Sequence, residues 1–364
     1  MKIICDRQLF NNAIIGVSKA VSVKTSMPIL ESILIKAYNN IVTFIGYDLE
    51  IGITTNIEAL VLEEGEVVIS SKLLCEIIRK LDSDEITINC DENMHITITG
   101  GITNFNLISL EPEEFTEMPK IISEHSFTID ANTLKNMISS TIFAVSQNDS
   151  KPALTGLFFE MENSKLTLVG LDGFRLAITS KNISNINDIK IIIPQKTMQE
   201  LSNLITEETE TIEINANRKF IIFKLNNYTI TSRLIEGEYL NYKKVIPTAY
   251  TTKVTVNTKE FIRSLERTAI VINDRLKQPV KISFLDNIFV ECNTTLGKIH
   301  DEIDADIQGN EIEIGFNNKF LLDALKNANT EEVILEISGT LQPMKILPLE
   351  NDEFLYLVLP VRIK

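Results

Sequence analysis

The sequence predicts an α+β fold made of three repeats of one domain, each with two helices packed on two small antiparallel sheets. Three observations carry this. A β-like run ending in Asp or Asn, followed by an apolar helical stripe, begins at positions 3, 127 and 254. A second strand-then-helix signal begins at 67, 191 and 312. Between the helices, apolar and polar residues alternate in short runs.

In chain order, Ile3-Ile4-Cys5-Asp6 precedes a stripe of Phe10, Ile14 and Val17, which predicts a helix over 7–21. Val67-Val68-Ile69-Ser70 leads into a helix over 70–81. Phe127-Thr128-Ile129-Asp130 precedes Leu134, Ile138 and Thr141, predicting a helix over 131–147. Ile191-Ile192-Ile193-Pro194 leads into 195–205. Val254-Thr255-Val256-Asn257 precedes Phe261, Leu265 and Thr268, predicting 258–272, and Ile312-Glu313-Ile314-Gly315 leads into 318–328. Asp and Asn suit the position before a helix because the side-chain oxygen accepts an orphan backbone N–H. Runs such as Glu85-Ile86-Thr87-Ile88-Asn89-Cys90 and Thr211-Ile212-Glu213-Ile214-Asn215 have period two, as antiparallel strands with one buried face require. The period of the repeat, close to 120 residues, is too long for an ankyrin or TPR array and indicates whole-domain triplication, with domains 1–125, 126–250 and 251–364.

The chain of 364 residues carries a formal charge of −15. Taken alone, that argues against a nucleic-acid partner. The charge is segregated, however. The six predicted helices hold twelve Lys and Arg against five Asp and Glu, which leaves the remainder at −22. In the fifth helix Lys259, Arg263 and Arg267 form one stripe, and Phe261, Leu265 and Ala269 form another on the far side. Six such helices lining a concave surface would attract phosphates inside an acidic body. Ordinary amphipathic helices with solvated faces give the same pattern, and both readings stand at this stage. No basic recognition helix is present, so phosphate contacts here would be blind to sequence.

Met1 to Asp6 has no apolar core of a signal peptide, and no window approaches a membrane span. A soluble cytoplasmic protein is expected. Cys5, Cys75, Cys90 and Cys292 are widely spaced, which suits reduced, buried thiols. His95, His125 and His300 read as surface residues, and no nucleophile elbow, phosphate-binding loop or zinc-protease motif occurs. The string from His300 to Asp306 would place 300, 302, 304 and 306 on one face of a strand, the best metal-like candidate. A solvated acidic face explains it as well. No enzyme activity, cofactor or metal is expected, with a repeat-built hydrolase and a protein-only scaffold as the competing classes.

Further landmarks specify the family. Met27-Pro28-Ile29-Leu30 follows the first helix, Gly46-Tyr47-Asp48-Leu49-Glu50 follows a strand, and Gly170 to Ala177 reads GLDGFRLA. Tyr242-Lys243-Lys244-Val245-Ile246-Pro247, Ile314-Gly315-Phe316-Asn317 and the terminal Leu357-Val358-Leu359-Pro360-Val361-Arg362 complete the set. In this order, on this repeat, the full chain resembles the β subunit of bacterial DNA polymerase III, the sliding-clamp family. The resemblance implies three clamp domains closing as a head-to-tail homodimeric ring around duplex DNA, and a cleft between the second and third domains for short linear motifs. It implies as partners double-stranded DNA, the replicative polymerase, an ATP-dependent clamp loader and other replication and repair proteins.

Carried over by position, the cleft would use Leu154, Leu171, Gly173, Phe174, Arg175, Leu176, Leu240, Val245, Phe320, Leu341, Leu359, Pro360, Val361 and Arg362. An apolar C-terminal run ending in one basic residue is unusual for an exposed tail, and an edge strand completing a pocket would account for it. Arg175 and Arg362 would sit at the rim. The family often has His, Thr and Pro where Phe174, Leu171 and Leu240 stand, which makes this pocket more apolar. For DNA the matching residues are Lys24, Lys72, Asn148, Lys151 and Lys196, beside Arg263 and Arg267 of the basic stripe. Pro152 and Ala153 replace an aromatic pair of the family's DNA-contacting loop. For the dimer, Phe105 and Leu107 of domain one would face Ile270 and Val271 of domain three.

Overall fold

The computed structural model describes residues 1–22, 25–148, 150–183, 188–272, 278–350 and 352–363. The six expected helices are present as α1 (Arg7–Ser18), α2 (Ser71–Lys80), α3 (Ala131–Ile142), α4 (Gln195–Leu204), α5 (Thr258–Ala269) and α6 (Asn318–Lys326). Local chemistry starts them. Asp6 accepts from the Leu9 amide at 2.7 Å, Asn257 from the Glu260 amide at 3.1 Å and Asn317 from the Lys319 amide at 3.0 Å. Ser70, before α2, makes no such side-chain bond.

Each helix stops short of its predicted end. After α3, Ala144 and Val145 bond back to Thr141 and Ile142, and after α5, Ile270, Val271 and Ile272 bond back to Arg267, Thr268 and Ala269. These three-residue turns carry the apolar pattern past the α-helix proper, where periodicity cannot separate the two. Ala269 is accordingly exposed, so the predicted core stripe of α5 is corrected to Thr258, Phe261, Ser264, Leu265 and Thr268.

The strands form four antiparallel sheets. Small sheets of successive repeats join edge to edge. Ile51–Glu58 of the first repeat pairs with Tyr228–Arg233 of the second, giving one sheet of eight strands. Arg175–Asn182 of the second pairs with Phe354–Val358 of the third, giving one of nine. Five- and four-stranded sheets complete the set.

The chain divides into two compact units, residues 1–132 with 200–234, and residues 133–199 with 235–364. The divide falls within α3 and within α4. In the first unit α1 packs on α2, and Phe10 of α1 meets Phe44 edge-on at 4.9 Å. In the second unit α5 packs on α6, over a core that includes Phe261, Phe284, Phe316 and Tyr356. Each such side chain, fully buried, contributes roughly 1.5–3 kcal/mol.

From α1 to α2 the first repeat corresponds to the second, from α3 to α4, at an offset of 124 positions. A Cβ on Gly46 would lie 2.2 Å from the Val17 carbonyl oxygen, and one on Gly170 would lie 2.2 Å from that of Thr141. Only glycine permits a strand to run that close to the preceding helix. Asp48 accepts from the Glu50 and Ile51 amides, and Asp172 accepts from the Phe174 and Arg175 amides. The residue after each Asp, Leu49 or Gly173, has a positive φ of 78° or 92°.

Candidate functional site

In the second unit, Leu154, Leu171 and Leu176 pack with Val169, Tyr242 and Leu357 in one cluster. They are buried. Phe174, Leu240, Val245, Leu359 and Val361 are all more than a third exposed. Sequence reasoning found Leu154, Leu171 and Leu176 but missed Tyr242 and Leu357. Tyr242 had a legible signal, because it stands 124 positions after Met118 in the matching segment of the first repeat.

Arg175, expected at the rim, is held by ion pairs within its own unit. Its Nε lies 3.0 Å from Asp172 Oδ2 and a terminal nitrogen lies 2.5 Å from Asp323 Oδ2, with the arginine side chain only 11% exposed. The guanidinium also stands over the rings of Phe320, at 4.7 Å, and Phe143, at 5.5 Å. Two carboxylates and two aromatic faces engage it, so it braces the strand Arg175–Asn182 against α6. Phe174 projects outward and stacks on Phe320 at 6.1 Å.

The C-terminal run also differs from expectation. Phe354–Val358 is an interior strand between Arg175–Asn182 and Met344–Pro348, because its alternate residues fill the core of the nine-stranded sheet. The tail beyond it is extended. The Leu359 amide donates to the Phe174 carbonyl at 2.9 Å, and the Val361 amide donates to the Gly315 carbonyl at 2.8 Å. These bonds hold Leu359 beside Phe174 and Val361 beside Gly315, while Arg362 is exposed. Leu341, 75% exposed, lies in the turn between Glu332–Ile337 and Met344–Pro348.

Beside this cluster, Glu160 is buried and has three partners. It accepts from the Tyr242 hydroxyl at 2.7 Å, and Lys190 and Lys243 approach at 3.0 and 3.2 Å. Burial alone would raise its pKa, but these donors hold the carboxyl below its usual range. The Tyr242 hydroxyl is pushed well up by burial and by the adjacent Glu160 charge. Tyr239 stacks flat on Phe158 at 4.7 Å and donates to the Val169 carbonyl.

Of the basic candidates, Lys72 in the first turn of α2, Lys196 in the first turn of α4, and Asn148 and Lys151 in the loop after α3 are exposed. Lys24 lies outside the described residues. Arg263 and Arg267 are exposed on α5, but Arg267 is bound by Asp301 through two nitrogens. Glu260, Glu302 and Asp304 line the same surface hollow, which weakens that stripe as a phosphate track. Phe105 and Leu107 lie on Thr103–Ile108, the edge strand of the five-stranded sheet, with Ile108 75% exposed. Ile270, 78% exposed, and Val271 follow α5, and the Val271 carbonyl accepts from Thr294.

The acidic string from His300 to Asp306 is not one strand. Lys298–Ile303 belongs to the four-stranded sheet and Ala305–Gly309 to the nine-stranded sheet, so the four side chains do not share a face. Asp301 is taken by Arg267, and His300 lies 3.0 Å from Glu291. Among the described residues no three His, Cys, Asp or Glu side chains converge as metal ligands. His125 is not a plain surface histidine, since its Nδ1 is buried without a hydrogen-bond partner. Cys5, Cys90 and Cys292 are buried free thiols, and burial pushes the Cys5 thiol up to about 12. No helix among the described residues is long and apolar enough to cross a membrane.

Fold and site together define a repeat-built α+β scaffold, with exposed lysines at helix starts and exposed apolar side chains beside a buried apolar cluster. Three family models match in order along the chain: the N-terminal domain of the DNA polymerase III beta subunit over residues 1–119, its central domain over 128–241 and its C-terminal domain over 243–362. A curated relative from Halalkalibacterium halodurans, a beta sliding clamp, is 34% identical, and the match covers 100% of both chains. The crystal structure of the DNA polymerase sliding clamp from Bacillus subtilis matches with a TM-score of 0.96 and 30% identity over 100% of both chains. A sliding clamp from Bartonella birtlesii, solved bound to griselimycin, matches with a TM-score of 0.94 and 30% identity over 100% of both chains. The chain belongs to the DNA polymerase III beta subunit family, and its fold is three clamp domains of the α+β class.

Proposed function

We propose that this chain is a processivity factor, a sliding clamp that encircles duplex DNA without sequence preference and tethers a replicative polymerase to it. The observation that carries the reading is the match of all three clamp-domain models, in order, over one chain. Segregated charge supports it, since the six predicted helices hold twelve Lys and Arg against five Asp and Glu within a protein of net charge −15. Phosphate contacts from Lys24, Lys72, Asn148, Lys151 and Lys196 fix no register on the bases and permit sliding. The domains run 1–125, 126–250 and 251–364.

Two copies close head to tail. The unpaired outer edge of Thr103–Ile108, with Phe105 and Leu107, meets a second copy at Ile270, Val271 and the edge strand Lys298–Ile303. Pairing such edges satisfies their free backbone groups. The hollow floored by Leu154, Leu171, Leu176 and Tyr242 takes one or two large apolar side chains from a flexible partner segment, with Phe174, Leu240, Val245, Leu359 and Val361 as its walls. Polymerase, ATP-dependent loader and other replication and repair proteins share it in turn.

Solution mass with a small-angle scattering envelope tests the reading. A toroid of twice the 41.1 kDa chain mass is expected. A compact monomer, or a particle with no central hole, overturns it.

A further inference from the structure

Internal correspondence at an offset of 124 residues shows one segment used in two ways. In the second repeat, Tyr239 and Tyr242 lie beside Leu171 and Leu176 in the floor of the hollow. The corresponding residues of the first repeat are Phe115, Met118, Tyr47 and Gly52. There Met118 takes the place that the Leu176 side chain has in the second repeat. A Cβ on Gly52 would lie 2.3 Å from the Met118 sulfur and 3.2 Å from the Tyr47 ring, so Met118 occupies the space against the strand. Phe115 and Met118 pack on the cluster of Leu34, Tyr47 and Val68.

The second repeat differs in what anchors this segment. Lys36 and Glu66 pair at 3.0 Å in the first repeat, and their counterparts are Glu160 and Lys190, paired at 3.0 Å with the charges exchanged. The exchange places a buried carboxylate where Tyr242 can donate to it, at 2.7 Å. Methionine at 118 has no group to offer Lys36, and its flexible thioether fills the gap at Gly52 instead. A buried, negatively charged acceptor is costly unless its donors are present, which makes the Tyr242 position strongly preferred.

Building on the cleft reading above, we infer that the Tyr242–Glu160 bond is a strut that keeps the partner cleft open, by tethering a segment that packs differently in the first repeat. Tyr242 is thus a positioning residue for partner binding, whereas Met118 of the first repeat packs against Gly52.

The test measures binding of a labelled synthetic peptide, copied from the tail of the cognate replicative polymerase, to the full-length protein. Tyr242→Phe removes the hydroxyl alone. Its affinity should fall about tenfold, because the open form is no longer favoured. The loss should lie in the association rate with dissociation unchanged, as expected when fewer molecules are competent to bind. A merely structural role would distort the pocket and raise the dissociation rate. Glu160→Gln, which keeps an acceptor for the hydroxyl, should retain binding within about twofold, whereas Glu160→Ala should match Tyr242→Phe. Met118→Leu, in the first repeat, should leave binding unchanged. Wild-type affinity in Tyr242→Phe, or a loss confined to dissociation, overturns the strut while leaving the cleft assignment intact. Failure of the wild-type protein to bind the peptide overturns the cleft reading itself.

Discussion

Arg175 offers a sharp separation between two roles for one residue. As a rim group it would contact a partner and contribute little to the fold. As the structure has it, the side chain is 11% exposed, bound to Asp172, which is 13% exposed, and to Asp323, which is 29% exposed. Replacing Arg175 by Ala leaves two carboxylates without their cation and uncovers the Phe320 face. Removing one partner of a buried pair costs about 3–5 kcal/mol, and discounting for the solvent at Asp323 gives about 3 kcal/mol, the lost cation–π contact included. For a unit of roughly 200 residues, each kcal/mol lowers Tm by about 2–4 °C, so Arg175→Ala should lower the transition of the second unit by about 6–12 °C. Differential scanning calorimetry reads this directly. Asp323→Ala should also destabilise, and the double variant should cost less than the sum of the single changes, with a coupling of about 1 kcal/mol or more. Arg362→Ala, at an exposed position, should stay within about 0.5 kcal/mol of wild type. A Tm for Arg175→Ala within about 1 °C of wild type, together with lost peptide binding, would refute the brace and restore the rim role.

Replacing Lys72, Lys151 and Lys196 by Ala should weaken DNA binding equally for all sequences and lower the slope of log K against log salt by about one unit per lysine, read by anisotropy titrations at several salt concentrations. Ile270→Ala with Val271→Ala should leave the single chain folded, since Ile270 is 78% exposed, but weaken dimerisation by about 1–4 kcal/mol; a double variant still fully dimeric at nanomolar concentration by ultracentrifugation would misplace the interface. Glu160 has a folded pKa depressed below its ordinary 4.5, so its stabilisation is present above that value and is lost as pH falls through the lower folded value; acid titration of thermal stability should be flatter in Glu160→Gln than in wild type. Deleting residues 359–364 should abolish peptide binding while the dimer persists, as measured by calorimetry alongside solution mass.

Local signals carried much of the fold. Asp6, Asn257 and Asn317 announce their helices because a cap acts within three residues of itself. Period-two runs place the strands because alternation is a local consequence of one buried face. Sheet continuity is different. The pairing of Ile51–Glu58 with Tyr228–Arg233 joins strands far apart in sequence, and neither run encodes its neighbour. The same distance hid the true setting of Arg175, whose partner Asp323 is 148 residues away, and made a buried brace look like an available cation. Arg267 was misjudged likewise, because helical spacing shows which face a side chain is on and not that Asp301 waits there. Position in the family pattern located Leu154, Leu171 and Leu176, whereas Tyr242 becomes legible only when the first repeat is laid against the second.

Retention on DNA of defined topology tests the central claim most directly. The protein, placed on a nicked circular duplex by its cognate ATP-dependent loader, should remain bound through a high-salt gel filtration and leave when the circle is cut once. A ring holds by enclosure, which salt does not screen, whereas phosphate contacts alone are screened. Equal loss from circular and linear DNA at high salt, or equal retention on both, would contradict a protein that acts by encircling its substrate.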